Sequence, residues 1–121
     1  MELLEIIKAL SHENRLRILN LLKHQELCVC ELENILDINQ SNASRHLSKL
    51  KQVAIIEDEQ KAQWVYYKIN HKLLSEHSFL RNILEEELKS LENYKIDLER
   101  LRKYKVSGIS CEDLGESRMF D

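Results

Sequence analysis

Proline is absent from this 121-residue chain, and its only two glycines, Gly108 and Gly115, lie near the C-terminus. A sandwich or barrel, whose many tight turns draw on those residues, is thereby disfavoured against helices joined by short polar turns. No apolar run approaches the roughly 18 residues of a membrane span. The N-terminal MELLEIIKAL carries acidic residues where a secretion signal carries basic ones. A cytoplasmic protein without membrane association is expected. Cysteine is scarce, with three in all, and an odd number of thiols in a reducing compartment argues against a disulfide framework. No Ser-His-Asp pattern, phosphate-binding glycine loop or carboxylate pair stands out, so an enzyme is not expected. The balance of 43% hydrophobic and 32% charged residues is that of one soluble domain.

The net charge of −3 hides a local excess of the opposite sign. Residues 40–69 hold five basic side chains, Arg45, Lys49, Lys51, Lys61 and Lys68, against three acidic ones, whereas residues 1–39 hold four against seven. A small basic patch of this kind permits nucleic-acid binding at the middle of the chain without demonstrating it.

Apolar periodicity supplies the elements. LEIIKAL and RLRILNLL read as two helices, with Ser11 placed to cap the second. VCELENIL continues as a third, DINQSN is a polar turn, and SNASRHLSKLKQV sets Ala43, Leu47 and Leu50 on one helical stripe. At about 100° per residue, the opposite face carries Ser41, Arg45, Ser48, Lys49 and Gln52, flanked by Asn42 and Ser44. AIIEDEQKAQWVYYKI has two β-rich runs around a charged tip and predicts a hairpin. From Asn70 to Lys105 one long helix is expected, because Leu84, Leu88, Leu91, Tyr94, Leu98 and Leu101 recur at spacings of three and four. That seam has little of its own chain left to cover it and predicts contact with a second copy. The fold class is therefore mostly α with a small β-hairpin (α+β), a winged helix-turn-helix dimerising through its terminal helices. Residues 1–105 form the DNA-binding and dimerisation domain, and residues 106–121 a partly ordered tail carrying Cys111.

Within ELCVCEL, Cys28 and Cys30 are two residues apart. In a continuous helix they point about 200° from each other, so both cannot share the core face, and one small ion cannot reach both. In an extended segment they fall on one side. Joint ligation thus requires the first turn of the third helix to open or never to form. Taken alone, Cys28 falls on the side of Leu32 and reads as a small core hydrophobe; as a pair the two read as functional. His71 and His77 are too far apart in helical angle to share a metal, and His12 and His24 carry no usable signal.

SHENRLRILNLL, ELCVCEL, QSNASRHLSKL and KAQWVYYKI, in that order over roughly residues 5–70, resemble the ArsR/SmtB family of bacterial metalloregulatory repressors. The resemblance implies a homodimer that binds double-stranded operator DNA and leaves it when an inducer binds. Its CxC is similar to that of arsenic and of cadmium/lead sensors. Arsenic sensors add a cysteine where this chain has Glu33. Cadmium-type members draw further thiols from a segment ahead of the first helix, where this chain has none. The acidic and histidine ligands of the family's zinc site are also lacking, since Asp97-Leu98-Glu99 brings no histidine. Three thiols suit a three-coordinate soft ion, so Cys28, Cys30 and Cys111 are the expected ligands of As(III) or Sb(III) as inducer. Cd(II), Pb(II) or thiol oxidation at the same cysteines is the alternative. A thiol oxidoreductase acting without DNA is the reading from another class, and the lack of a βαβ scaffold weighs against it. The DNA face is expected to comprise Ser41, Asn42, Ser44, Arg45, His46 and Lys49 on the fourth helix, with Lys61 and Gln63 on the wing.

Overall fold

The computed structural model describes residues 2–110. In chain order its elements are α1 (Leu3–Leu10), α2 (Glu13–Leu22), β1 (Leu27–Cys28), α3 (Val29–Leu36), α4 (Gln40–Gln52), β2 (Ile56–Lys61), β3 (Trp64–Ile69), α5 (His71–Glu76), α6 (Ser78–Glu85) and α7 (Tyr94–Ser107). A 3₁₀ turn at Glu87–Ser90 lies between the last two helices. α3 and α4 form the helix-turn-helix, and β2 and β3 form the wing.

One core binds these elements. Ile6 of α1, Ile18 and Leu19 of α2, Leu32 and Ile35 of α3, and Leu47 and Leu50 of α4 are all fully buried. Each such side chain removed from water contributes roughly 1.5–3 kcal/mol. The stripe expected on α4 is therefore the face that docks it. The turn between α3 and α4 is made by polar local chemistry. Asp37 ends α3 in the left-handed region at φ 55°, and the Asn39 side chain accepts the Asn42 N–H at 2.8 Å to start α4. α2 starts differently from expectation. His12, not Ser11, is its N-cap, with Nδ1 accepting the Asn14 N–H at 3.1 Å. Ser11 instead closes α1, its hydroxyl donating to the Lys8 carbonyl at 2.9 Å.

The sheet has three strands rather than the two of a hairpin, in the order β1-β3-β2. β2 and β3 pair antiparallel from Ile56↔Ile69 to Lys61↔Trp64, and β1 adds Leu27↔Tyr67 and Cys28↔Tyr66 on the other edge of β3. That pairing holds Cys28 in extended backbone. The two-residue wing turn Ala62-Gln63 places Ala62 at φ 57°, where an L side chain is strained. Ala62→Gly is expected to stabilise the fold by about 1 kcal/mol, read as a rise in the urea midpoint at unchanged slope.

The single long helix expected over residues 70–105 is broken into α5, α6, the 3₁₀ turn and α7. Leu91 is extended at φ −62° and ψ 138°. The seam does not lie open along a rod: Leu84, Leu88 and Leu101 are buried in the domain's own core, and Leu91, Tyr94 and Leu98 are half-buried. Covering them intramolecularly requires the chain to turn back, and tertiary burial overrides helical continuity. Left exposed instead are Leu3, Leu4 and Ile7 on α1, and Ile96 and Val106 on α7.

Candidate metal centre and nucleic-acid interface

Cys28 is the N-cap of α3 and Cys30 lies in its first turn. Because Cys28 sits outside the helix with φ −92° and ψ 171°, its side chain can turn toward that of Cys30, and the two Sγ atoms face each other at 3.1 Å. The opening or absence of the first turn expected from the sequence is not what the structure shows: the turn is formed from Val29, and the sulfurs still meet because Cys28 lies just outside it. Cys28 is buried and Cys30 half-buried.

The thiols open into a cavity of about 220 Å³ lined by Cys28, Val29, Cys30, Glu33, Gln40, Trp64 and Val65. Gln40 is the first residue of α4, and Trp64 and Val65 begin β3. A single hollow therefore touches α3, α4 and the wing strand β3. Gln40 was not among the residues singled out by sequence, and Trp64 reads there only as wing or core packing, since nothing local marks either as a neighbour of a cysteine. Glu33 lines the same cavity. Cys111 lies outside the described residues, and no cluster of three or more His, Cys, Asp or Glu side chains suited to a metal occurs among those described.

Glu31, also unremarked by sequence, sits three residues after Cys28 and is buried. Its Oε1 accepts the Cys28 N–H at 2.9 Å, the carboxylate half of a capping box. Its Oε2 accepts the hydroxyl of Tyr104 from α7. The spacing of cap residue and glutamate was a signal available in the sequence; the tyrosine, far along the chain, was not.

On α4, Ser41, Ser44, Arg45 and Lys49 are exposed and Asn42 half-exposed on the face away from the core. Arg45 Nη2 donates to the Asn42 side-chain oxygen at 3.2 Å, and the Ser41 hydroxyl to that of Asn39 at 3.1 Å. On the wing, Lys61 and Gln63 are exposed. Lys61 is already paired, with Glu26 and with Glu59, and acidic Glu57 and Glu59 share its strand, so the wing offers DNA a weaker positive field than α4 does.

His46 departs from the expected DNA face. It is 1% exposed, its Nδ1 accepts from Arg15 Nε at 3.2 Å, and its ring lies 4.3 Å from that of His12. Burial first, and then the neighbouring His12, Arg15 and Arg45, depress its pKa to about 4. In the unfolded chain the ring takes up a proton near pH 6.5; in the fold it does so only near pH 4. The unfolded state therefore binds more protons between these values, and stability present above pH 6.5 is lost as pH falls toward 4. A stability profile across that window should flatten in His46→Gln.

Residues 12–58 match the family described as bacterial regulatory protein, arsR family. A cadmium resistance transcriptional regulatory protein CadC homolog of Staphylococcus aureus is 36% identical over 84 residues, which cover 66% of this chain and 69% of that one. The chain belongs to the arsR family. It is a family of regulators, not of enzymes. The arsenic resistance transcriptional regulator ArsR1 of Pseudomonas putida is 41% identical over 66 residues, 54% of this chain and 52% of that one, so the match spans little more than half of that relative. Among solved structures, the homodimeric winged helix-turn-helix DNA-binding domain of a "possible ArsR-family transcriptional regulator" from Mycobacterium bovis superposes with a TM-score of 0.58. It is 27% identical, with 70% of this chain and 80% of that one covered. The winged helix-turn-helix expected from the pattern is thus the fold of this arsR-family member. No described helix is long and apolar enough to cross a membrane.

Proposed function

We propose that this arsR-family protein is a homodimeric transcriptional repressor of the cytoplasm that binds operator DNA through α4 and is released when arsenite or antimonite binds cysteine thiolates. The observation that carries the reading is the cavity into which Cys28 and Cys30 open, because its walls include the first residue of α4 and the first residues of the wing strand. An ion bonded to both sulfurs occupies space between the two elements that meet DNA. Ligation and operator affinity are then linked: bound arsenite weakens operator binding, and bound operator weakens arsenite binding, by the same factor.

Soft thiolates select a thiophilic ion. In As(OH)₃, each thiol replaces one hydroxide as water, so two or three As–S bonds form without change of oxidation state. Cys111 is proposed as the third ligand. Arsenic and cadmium both appear in the names of relatives, and Cd(II) or Pb(II) at the same thiols is the second reading, favoured by Glu33 on the cavity wall as an oxygen donor. Exposed Leu3, Leu4 and Ile7 of α1 with Ile96 and Val106 of α7 supply the apolar surface for a second copy.

The test is release of the reduced protein from a fragment upstream of its own gene, titrated with arsenite, cadmium, zinc and peroxide. Cys30→Ser is expected to require at least 100-fold more arsenite. Cys111→Ser is expected to shift arsenite release strongly, while unchanged release would leave Cys28 and Cys30 as a two-thiol sensor. Failure of the reduced wild-type protein to bind any operator would remove the repressor reading.

A further inference from the structure

The thiol end of α3 and the terminal helix α7 share a buried carboxylate. Glu31 is 7% and Tyr104 5% exposed. One oxygen of Glu31 takes the Cys28 backbone N–H at 2.9 Å and the other takes the Tyr104 hydroxyl. Both are bonds to a charged acceptor, stronger than neutral ones and costly to leave unmade in a buried site. At the far end of α3, Arg100 donates to the carbonyls of Asn34, at 3.0 Å, and Ile35. Arg17, held by Asp97 of α7, donates to the carbonyl of Leu36 at 3.2 Å. α7 is therefore fastened to α3 at both ends.

We infer that Glu31 and Tyr104 are positioning residues that tie the backbone of Cys28 and couple the thiol pair to α7. The inference rests on the reading of Cys28 and Cys30 as inducer ligands. A centre bonded to both sulfurs sets their separation and direction, and Cys28 meets that demand by turning about its own backbone. Its N–H is tied to Glu31, so the carboxylate follows, and with it the Tyr104 hydroxyl. α3 carries the other consequence directly, since it packs on α4. One small displacement at the cap is thereby felt by the DNA-reading helix and by the helix that exposes Ile96 and Val106. The carboxylate is the joint between them.

Tyr104→Phe removes the hydroxyl alone and keeps the ring that fills the core. The full-length protein is compared with this variant and with Arg102→Ala, an exposed position on the same helix. Three quantities are read: operator affinity without arsenite, operator affinity with saturating arsenite, and arsenite affinity of the DNA-free protein. Tyr104→Phe is expected to bind operator within about threefold of wild type in the absence of arsenite, while the factor by which arsenite weakens that binding falls at least tenfold; Arg102→Ala keeps the wild-type factor. A merely structural tyrosine would lower the melting temperature and leave that factor unchanged, which overturns the link. Should Tyr104→Phe not fold, Glu31→Gln, which keeps an oxygen for one bond but not both, is expected to show the same loss, and an unchanged factor there overturns the link equally. Wild-type protein that arsenite never releases removes the thiol reading and the link together; wild-type release matched by equal release of Tyr104→Phe removes the link alone.

Discussion

Asp97→Ala is expected to destabilise the fold by about 3–5 kcal/mol, the usual cost of stranding one partner of a buried ion pair. Asp97 is 1% exposed and receives Arg17 Nε at 2.8 Å and Nη2 at 2.9 Å, a two-pronged contact. The Arg17 guanidinium also donates to the Asn14 side chain at 3.1 Å and the Leu36 carbonyl at 3.2 Å. It thus joins α2, the end of α3 and α7 at one point. Its pKa is raised, first by the hydrogen bond to Asp97, and it stays charged when the aspartate is gone. Removing Asp97 leaves that charge largely out of water with no counter-ion. A drop in melting temperature on the order of 15 °C follows for a domain of this size, and thermal or urea unfolding reads it. Arg17→Lys, with Asp97 in place, should keep little of the stabilisation, because an ammonium cannot span both carboxylate oxygens and the Leu36 carbonyl. A loss below about 1 kcal/mol for Asp97→Ala would mean that the pair behaves as a solvated surface bridge and does not fasten α7.

Asp97 also shows where sequence reasoning stops. From the chain alone it was a zinc-type ligand lacking its histidine; its partner, Arg17, is 80 residues away. The stripe Ala43, Leu47 and Leu50 was legible because a 3.6-residue period requires only local order, and all three are buried as expected. The CxC was legible as chemistry, yet its geometry depended on β1, a two-residue strand whose only reason to exist is pairing with Tyr66 and Tyr67. Strand pairing at that range leaves no trace in a two-residue window. His46 failed for a similar reason. Polar and adjacent to Arg45, it reads as part of the exposed face until Arg15 and His12 are seen to cover it. The break after α6 was hidden because the leucine period runs through it unbroken, and only the position of the core says that Leu88 and Leu101 must both turn inward.

Arg45→Ala is expected to weaken specific operator binding by about 1–3 kcal/mol while changing binding to unrelated DNA far less. Arg45 and Lys49 are both exposed on α4, but they occupy different turns and differ in what they can read. Arg45 stands in the second turn of the helix with Asn42 beside it at 3.2 Å, a pre-oriented guanidinium whose fork matches the paired acceptors of guanine in the major groove. Lys49 lies in the last turn with a single flexible ammonium, suited to a phosphate. Lys49→Ala should therefore lower affinity about equally on operator and unrelated DNA and reduce the slope of log affinity against log salt by about one. Titrating both variants on operator and on scrambled DNA at several salt concentrations separates the roles. Equal losses on the two DNAs for Arg45→Ala would make it a backbone contact, and specificity would then have to come from Asn42, Ser44 and the shape of the groove. The buried His46 bears on the same point: with Nδ1 accepting from Arg15 it pins the inner side of this turn, so the outer side presents Arg45 on a fixed backbone, and His46→Gln should disturb specific binding less than Arg45→Ala although it lies one residue away.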